Sequence, residues 1–140
     1  MAETGYNWGA WAFVMDDGGG DWDADALADN GTEISNTAIS LDGKAGCLVG
    51  IAAYEDNTGA IDGVVTVYIL GDGGGIAYEE TTIGCPYKFS FLPVQNDTTY
   101  VQFSVDPKYF DNFVIAVKNE SGQELAISVK YKTATVPVAS

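Results

Sequence analysis

Histidine and arginine are both missing from these 140 residues, and all six cationic side chains are lysines. Without histidine the chain lacks the group that ordinarily moves protons near neutral pH. Without arginine it lacks the planar fork that grips phosphate or carboxylate at two points. These absences weigh against acid–base, nucleophile-relay and phosphoryl chemistry, so the expectation is a protein that is not an enzyme and needs no cofactor. Cysteine is also scarce. Cys47 and Cys85 show no C-x-x-C and no metal-ligand spacing, and read as buried thiols. A disulfide between them would need their Cα atoms within about 7 Å. No apolar run approaches the roughly 20 residues of a membrane-spanning helix. The first residues carry neither the basic nor the apolar stretch of a secretory signal, so a soluble product made in the cytoplasm is expected.

What is present is negative charge, unevenly placed. The formal net charge is −14, and through Ile83 fifteen acidic residues face a single lysine, Lys44. From Gly84 onward five carboxylates meet five lysines and cancel. Such a chain repels nucleic acid and anionic headgroups, so neither nucleic acid nor membrane is an expected partner. Cationic protein surfaces and divalent cations remain open.

The apolar segments are rich in Val, Ile, Tyr, Phe and Thr, residues that favour strands. Residues 11–15 form a short uniformly apolar segment, and 34–41 a mixed one. Residues 45–54 are apolar but small, so neighbours must approach closely or fill the gap with aromatic rings. Residues 64–70 (VVTVYIL) read as a central strand, and 76–79 as a short continuation after a glycine break. Period-two alternation puts Tyr87, Phe89 and Phe91 on one face, and likewise Val101, Phe103 and Val105. Phe113, Ile115 and Val117 share a face, as do Leu125, Ile127 and Val129, and residues 119–123 between them read as a hairpin loop. Pro137 points to an edge or a tail. The sum is an all-β chain: a two-sheet antiparallel β-sandwich, in jelly-roll form with about eight strands. Residues 1–33 read as an aromatic arm and acidic Gly-rich loop, and 34–140 as the sandwich body of one domain.

Three constellations have chemical content. In residues 16–33 (DDGGGDWDADALADNGTE), Asp21, Asp23 and Asp25 have the alternate spacing of a calcium loop, and oxygen ligands suit a hard cation. The match stops there, because the sixth position is Ala26 where glycine is wanted and the twelfth is Thr32, with Glu33 one place late. A solvated acidic loop is the competing reading, and no metal is expected. The glycine runs 18–20 and 73–75 are bordered by carboxylates and followed by no Lys-Ser/Thr, so they read as loop tips, not phosphate cradles. Tyr6, Trp8 and Trp11, with Trp22 among the aspartates, either fold back to cap the sandwich or anchor a partner, as Trp and Tyr do at binding hot spots.

Residues 100–111 (YVQFSVDPKYFD), 113–126 (FVIAVKNESGQELA) and 129–133 (VKYKT) resemble tailed-bacteriophage virion proteins. The likeness is to capsid decoration (cement) proteins of the small jelly-roll type, and it covers roughly residues 60–135. The resemblance implies a structural protein of the virion capsid surface that bridges neighbouring subunits of the major capsid protein. It also implies self-association as a dimer or trimer on a symmetry axis. The alternative expectation is a carbohydrate- or receptor-binding module, since jelly rolls also serve as lectins. Its sign would be exposed aromatics on one sheet face, with Tyr54, Tyr68 and Tyr78 as candidates, although Tyr68 reads as core. A divalent-cation-dependent adhesion or spore-coat type domain stands third.

Overall fold

The computed structural model describes residues 5–55, 59–71 and 87–136. The expected strand at 76–79, the glycine run 73–75, Tyr78, Cys85 and Pro137 lie outside the described residues. Within them the chain forms eleven strands and no helix. In order these are β1 (Asn7–Trp8), β2 (Ala12–Phe13), β3 (Asp25–Leu27), β4 (Thr32–Ile34), β5 (Ile39–Ser40), β6 (Gly46–Tyr54), β7 (Val65–Gly71), β8 (Lys88–Phe91), β9 (Thr98–Ser104), β10 (Asn112–Asn119) and β11 (Leu125–Thr135).

Two antiparallel sheets result. One runs β11-β6-β9, with β1, β2 and β3 all pairing with the other side of β11. The other runs β10-β7-β8, with β4 and β5 both pairing with β10. Taking β1–β3 as one interrupted strand and β4–β5 as another leaves eight strand positions. Their sheet orders are then first-eighth-third-sixth and second-seventh-fourth-fifth, the double Greek key of a jelly roll. The expected all-β two-sheet sandwich is what this chain forms.

The core lies between the sheets because alternate residues of each strand face inward. Cys47, Val49, Ile51 and Ala53 of β6 meet Val65, Val67 and Ile69 of β7 and Phe113, Ile115 and Val117 of β10 in one cluster. Phe89 and Phe103 close the side away from β11, edge to face with centroids 4.8 Å apart. Every residue of β7 except the terminal Gly71 is buried, which fits a strand covered on both faces. Its outward residues Tyr68 and Leu70 join Val114 and Ala116 in a second, smaller cluster.

Three expectations change. Residues 119–123 do not close a hairpin, because β10 and β11 belong to different sheets and the turn arches between them. Asn119 pegs that arch: its Nδ2 donates to the carbonyls of Leu27 (2.9 Å) and Gln123 (2.7 Å), while its Oδ1 accepts from Ser121 N and Oγ. Residues 16–33 are not one loop, since β3 forms inside them and β4 runs across the expected boundary at 33. Burial of Trp22 and Leu27 in the main core draws this acidic stretch into the sandwich.

Candidate functional site

Two surfaces gather polar or aromatic groups in numbers that invite chemistry. The first is acidic. Asp16 begins a tight turn in which its Oδ1 accepts the N–H groups of Gly18 (2.8 Å) and Gly20 (3.1 Å). Gly19 has φ +87°, a conformation that an L side chain rarely adopts, so the glycine run is the turn that cages this carboxylate. Asp25 lies on β3 of one sheet and Glu33 on β4 of the other, so the group straddles an open side of the sandwich. Carboxylate oxygens of Asp16, Asp25 and Glu33 lie within 4.8 Å of one another.

Their proton affinities diverge. Asp16 is held below the ordinary carboxylate range, first by the side-chain hydrogen bond with Asp25 and then by the glycine N–H groups. Asp25 is pushed up to about 6 by the same bond, by burial and by the charges of Asp16, Asp17 and Asp23. Burial first, and the charges of Asp17, Asp25 and Asp16 next, push Glu33 up to about 7. Its Oε2 is buried with no hydrogen-bond partner among the described residues. The arrangement can share a proton between Asp16 and Asp25, and its oxygens are of the kind a hard cation takes. The three aspartates with calcium-loop spacing are not gathered into one site. Of Asp21, Asp23 and Asp25, only Asp25 belongs to this group; Asp21 bridges to Met15, and Asp23 accepts from Ser128 Oγ.

The second surface is the outer face of the six-stranded sheet, and it follows from the small residues of β6. Leu48, Gly50, Ala52 and Tyr54 point outward, opposite the core residues between them. Register sets Phe13, Lys130, Gly50 and Gln102 in one cross-strand row, and Ser128, Ala52 and Tyr100 in the next. The missing side chains at Gly46 and Gly50 are replaced by rings from the chain's first residues. A Cβ at Gly46 would meet Trp8 and Tyr6 at 3.4 Å, and one at Gly50 would meet Trp11 at 3.7 Å. Lysines hold these rings down: Lys132 Nζ lies 5.2 Å from the Trp8 centroid and 4.9 Å from that of Trp11, and Lys130 Nζ 4.6 Å from that of Phe13.

Between these rings and Tyr100 lies a trough of about 470 Å³, floored by Gly50 and Ala52. Tyr100 is 79% exposed and Trp11 40%, so both rings are open to a ligand. Asp23, Gln102, Ser128 and Lys130 supply its polar groups. Ser128 Oγ takes the Ala24 N–H (2.7 Å) and donates to Asp23 Oδ1 (3.3 Å), fixing that carboxylate at the wall.

The expected aromatic anchors therefore divide. Tyr6, Trp8 and Trp11 fold back onto the sheet while keeping exposed ring surface, so capping and presentation coexist. Trp22 is the correction: at 0% exposure it belongs to the core and has no ring face to offer a partner. Tyr54 is exposed on the outer face as the alternative reading wants, whereas Tyr68 is buried. Tyr100, Phe13 and Gln102 were not singled out by sequence. The period-two alternation of residues 100–105 already puts Tyr100 and Gln102 opposite the core face; only pairing with β6 shows what they stand beside.

No protein-family model matches this sequence, and no curated protein matches it. One similar solved structure belongs to the Bacillus endospore appendages, described as a family of disulfide-linked pili. It aligns with a TM-score of 0.45 and 12% identity, over 98% of this chain and 96% of that one. Likeness at that level carries nothing over to this chain.

Proposed function

We propose that this chain is a non-catalytic binding module whose working surface is the outer face of its six-stranded sheet. The observation that carries the reading is the trough, where exposed Trp11 and Tyr100 flank a floor of Gly50 and Ala52. Ligand sites are concave and rich in aromatic surface, with a few placed polar groups, and commonly enclose about 300–1,000 Å³. Among the described residues lining the trough Asp23 is the only carboxylate, so a two-carboxylate hydrolysis has no second member there. Rings already seated on glycines lose little freedom on binding, which favours recognition by a preformed surface.

The capsid-decoration expectation rests on the sequence resemblance and concerns where such a face would act. A shallow site binds weakly as a single copy and gains by repetition, as on a virion whose shell is built of major capsid protein. Retention of the wild type and a Trp11→Ala/Tyr100→Ala variant on a glycan array and on immobilised capsid particles tests both readings. The proposal expects the double variant to lose at least about tenfold in retention on whichever support captures the wild type. Equal retention of the two proteins contradicts it. Capture by particles that survives the double substitution would assign attachment to another face.

A further inference from the structure

We infer that the trough is a subsite for a neutral saccharide, one pyranose ring lying on the floor of Gly50 and Ala52 between Trp11 and Tyr100. The assignment rests on the outer face being the working surface, and it names the ligand class for that face. Three features of the lining select the chemistry.

Width is the first. Ser128, Ala52 and Tyr100 are directly paired across three adjacent strands. Strands lie about 4.8 Å apart, so the row spans about 10 Å, room for one six-membered ring with its substituents. Surface character is the second. A pyranose with equatorial hydroxyls is apolar on its two faces and polar round its rim. The trough repeats that division, with ring and small aliphatic surface at Trp11, Tyr100, Gly50 and Ala52, and polar groups at Asp23, Gln102, Ser128 and Lys130. A purely apolar ligand would strip water from those four polar groups without replacing their hydrogen bonds.

Charge is the third. Asp23 and Lys130 both line the trough and offset one another, while the whole chain carries −14. An anionic sugar would meet Lys130 beside Asp23, and Lys132 against Trp11, within the field of the whole molecule, so the neutral class is preferred. The polar groups are also held in place, Asp23 by Ser128 and Lys130 by the Phe13 ring, which lowers the entropy lost on binding.

Tyr54 adds a length preference. It stands one outward step beyond Ala52 on β6, diagonal to Tyr100, and its ring is exposed. Diagonal cross-strand positions are about 7–8 Å apart, within reach of the next ring of an oligomer. Oligosaccharides should therefore bind tighter than monosaccharides, and Tyr54→Ala should remove that gain.

The test is a calorimetric titration of the full chain with methyl glucoside, methyl galactoside, N-acetylglucosamine, cellobiose and cellotetraose, with sialyllactose and a heparin fragment as anionic counterparts. Saturable binding of at least one neutral sugar is expected. Tyr100→Ala should weaken it by at least about tenfold, Tyr100→Phe by less than about threefold, and Ala52→Leu, which fills the floor, should abolish it. Tyr100 is highly exposed and Ala52 points outward, so unchanged melting curves will show these variants folded. No binding by any neutral sugar, or preference for the anionic pair, overturns the saccharide assignment. If particle or array retention still depends on Trp11 and Tyr100 in that case, the binding-face reading survives without it. Neutral sugars that bind every variant as tightly as the wild type would overturn both.

Discussion

Trp11 opens a short apolar segment and Trp22 lies in the acidic, Gly-rich stretch that follows it, and their fates are decided by backbone pairing. The N–H of Trp22 bonds to Val14 O (2.7 Å) and its carbonyl takes Val129 N–H (2.9 Å), which fastens the residue to β11 with its ring inward. Nothing in the local composition reports that pairing, because one-sided alternation fails where strand pieces are two or three residues long. Trp22→Ala should lower stability by about 3–5 kcal/mol, seen as a reduced denaturation midpoint. Trp22→Phe should be milder, about 1–2 kcal/mol, because the indole N–H is buried with no hydrogen-bond partner among the described residues and its removal recovers part of the loss.

The acidic group makes the stability of the fold depend on pH. Asp25 and Glu33 bind protons more tightly in the folded chain than in the unfolded one, with values of about 6 and about 7. Their stabilising effect is therefore complete below the ordinary carboxylate range and is lost as pH rises through those values. The lowered Asp16 acts in the opposite direction, but only where pH falls below its ordinary value of 3.8. The melting temperature should thus fall by about 3–6 °C between pH 5 and pH 8 in thermal melts. Glu33→Gln should flatten the slope; a melting temperature that climbs over this interval would contradict the assignment. Asp21-x-Asp23-x-Asp25 was legible as a spacing that a regular strand would set on one side, yet the extended run is broken at Ala24, whose φ is +55°, and the three carboxylates are not gathered. Only folding brings Asp25 to Asp16 and Glu33.

At the scale of elements, β11 organises the molecule. Its one side pairs with β6 along nine residue pairs, and its other side is covered by β1, β2 and β3 in succession. A border made of short pieces is a poor template for another chain, which limits edge-to-edge aggregation. Among the long strands, β9, β10 and β11 were legible from period-two alternation, and β6 and β7 as continuous apolar runs. The jelly-roll partition was legible only as a class: the arch at 119–123 has hairpin composition, and Asn119 reveals its role only when its bonds to Leu27 and Gln123 are seen. Asn119→Ala should cost about 2–4 kcal/mol by urea denaturation, since it strands buried groups of the arch and β3. Removing residues 1–11 deletes β1 and the Trp11 wall but leaves the pairing of β6 with β11 intact. That variant should fold, melt several degrees lower and lose binding at the trough.

Taken whole, the molecule sets a strongly negative chain around a face that carries two of its six lysines, Lys130 and Lys132, each held over aromatic rings. Charge asymmetry was plain in the sequence; its relation to the binding face depends on sheet register. If ring stacking dominates, affinity for a neutral sugar should change by less than about twofold between about 0.05 and about 0.5 M NaCl, since screening acts on charge pairs. Docking of the acidic surface on a basic partner would weaken steeply over the same range. The most direct measurement is backbone amide chemical-shift mapping of the full chain titrated with cellotetraose. The predicted result is saturable shifts confined to Gly50, Ala52, Tyr54, Tyr100, Gln102, Ser128 and the Trp11–Phe13 neighbourhood, with β7 and β10 unmoved. Shifts centred on the five-stranded sheet, or none at saturating sugar, would contradict the account.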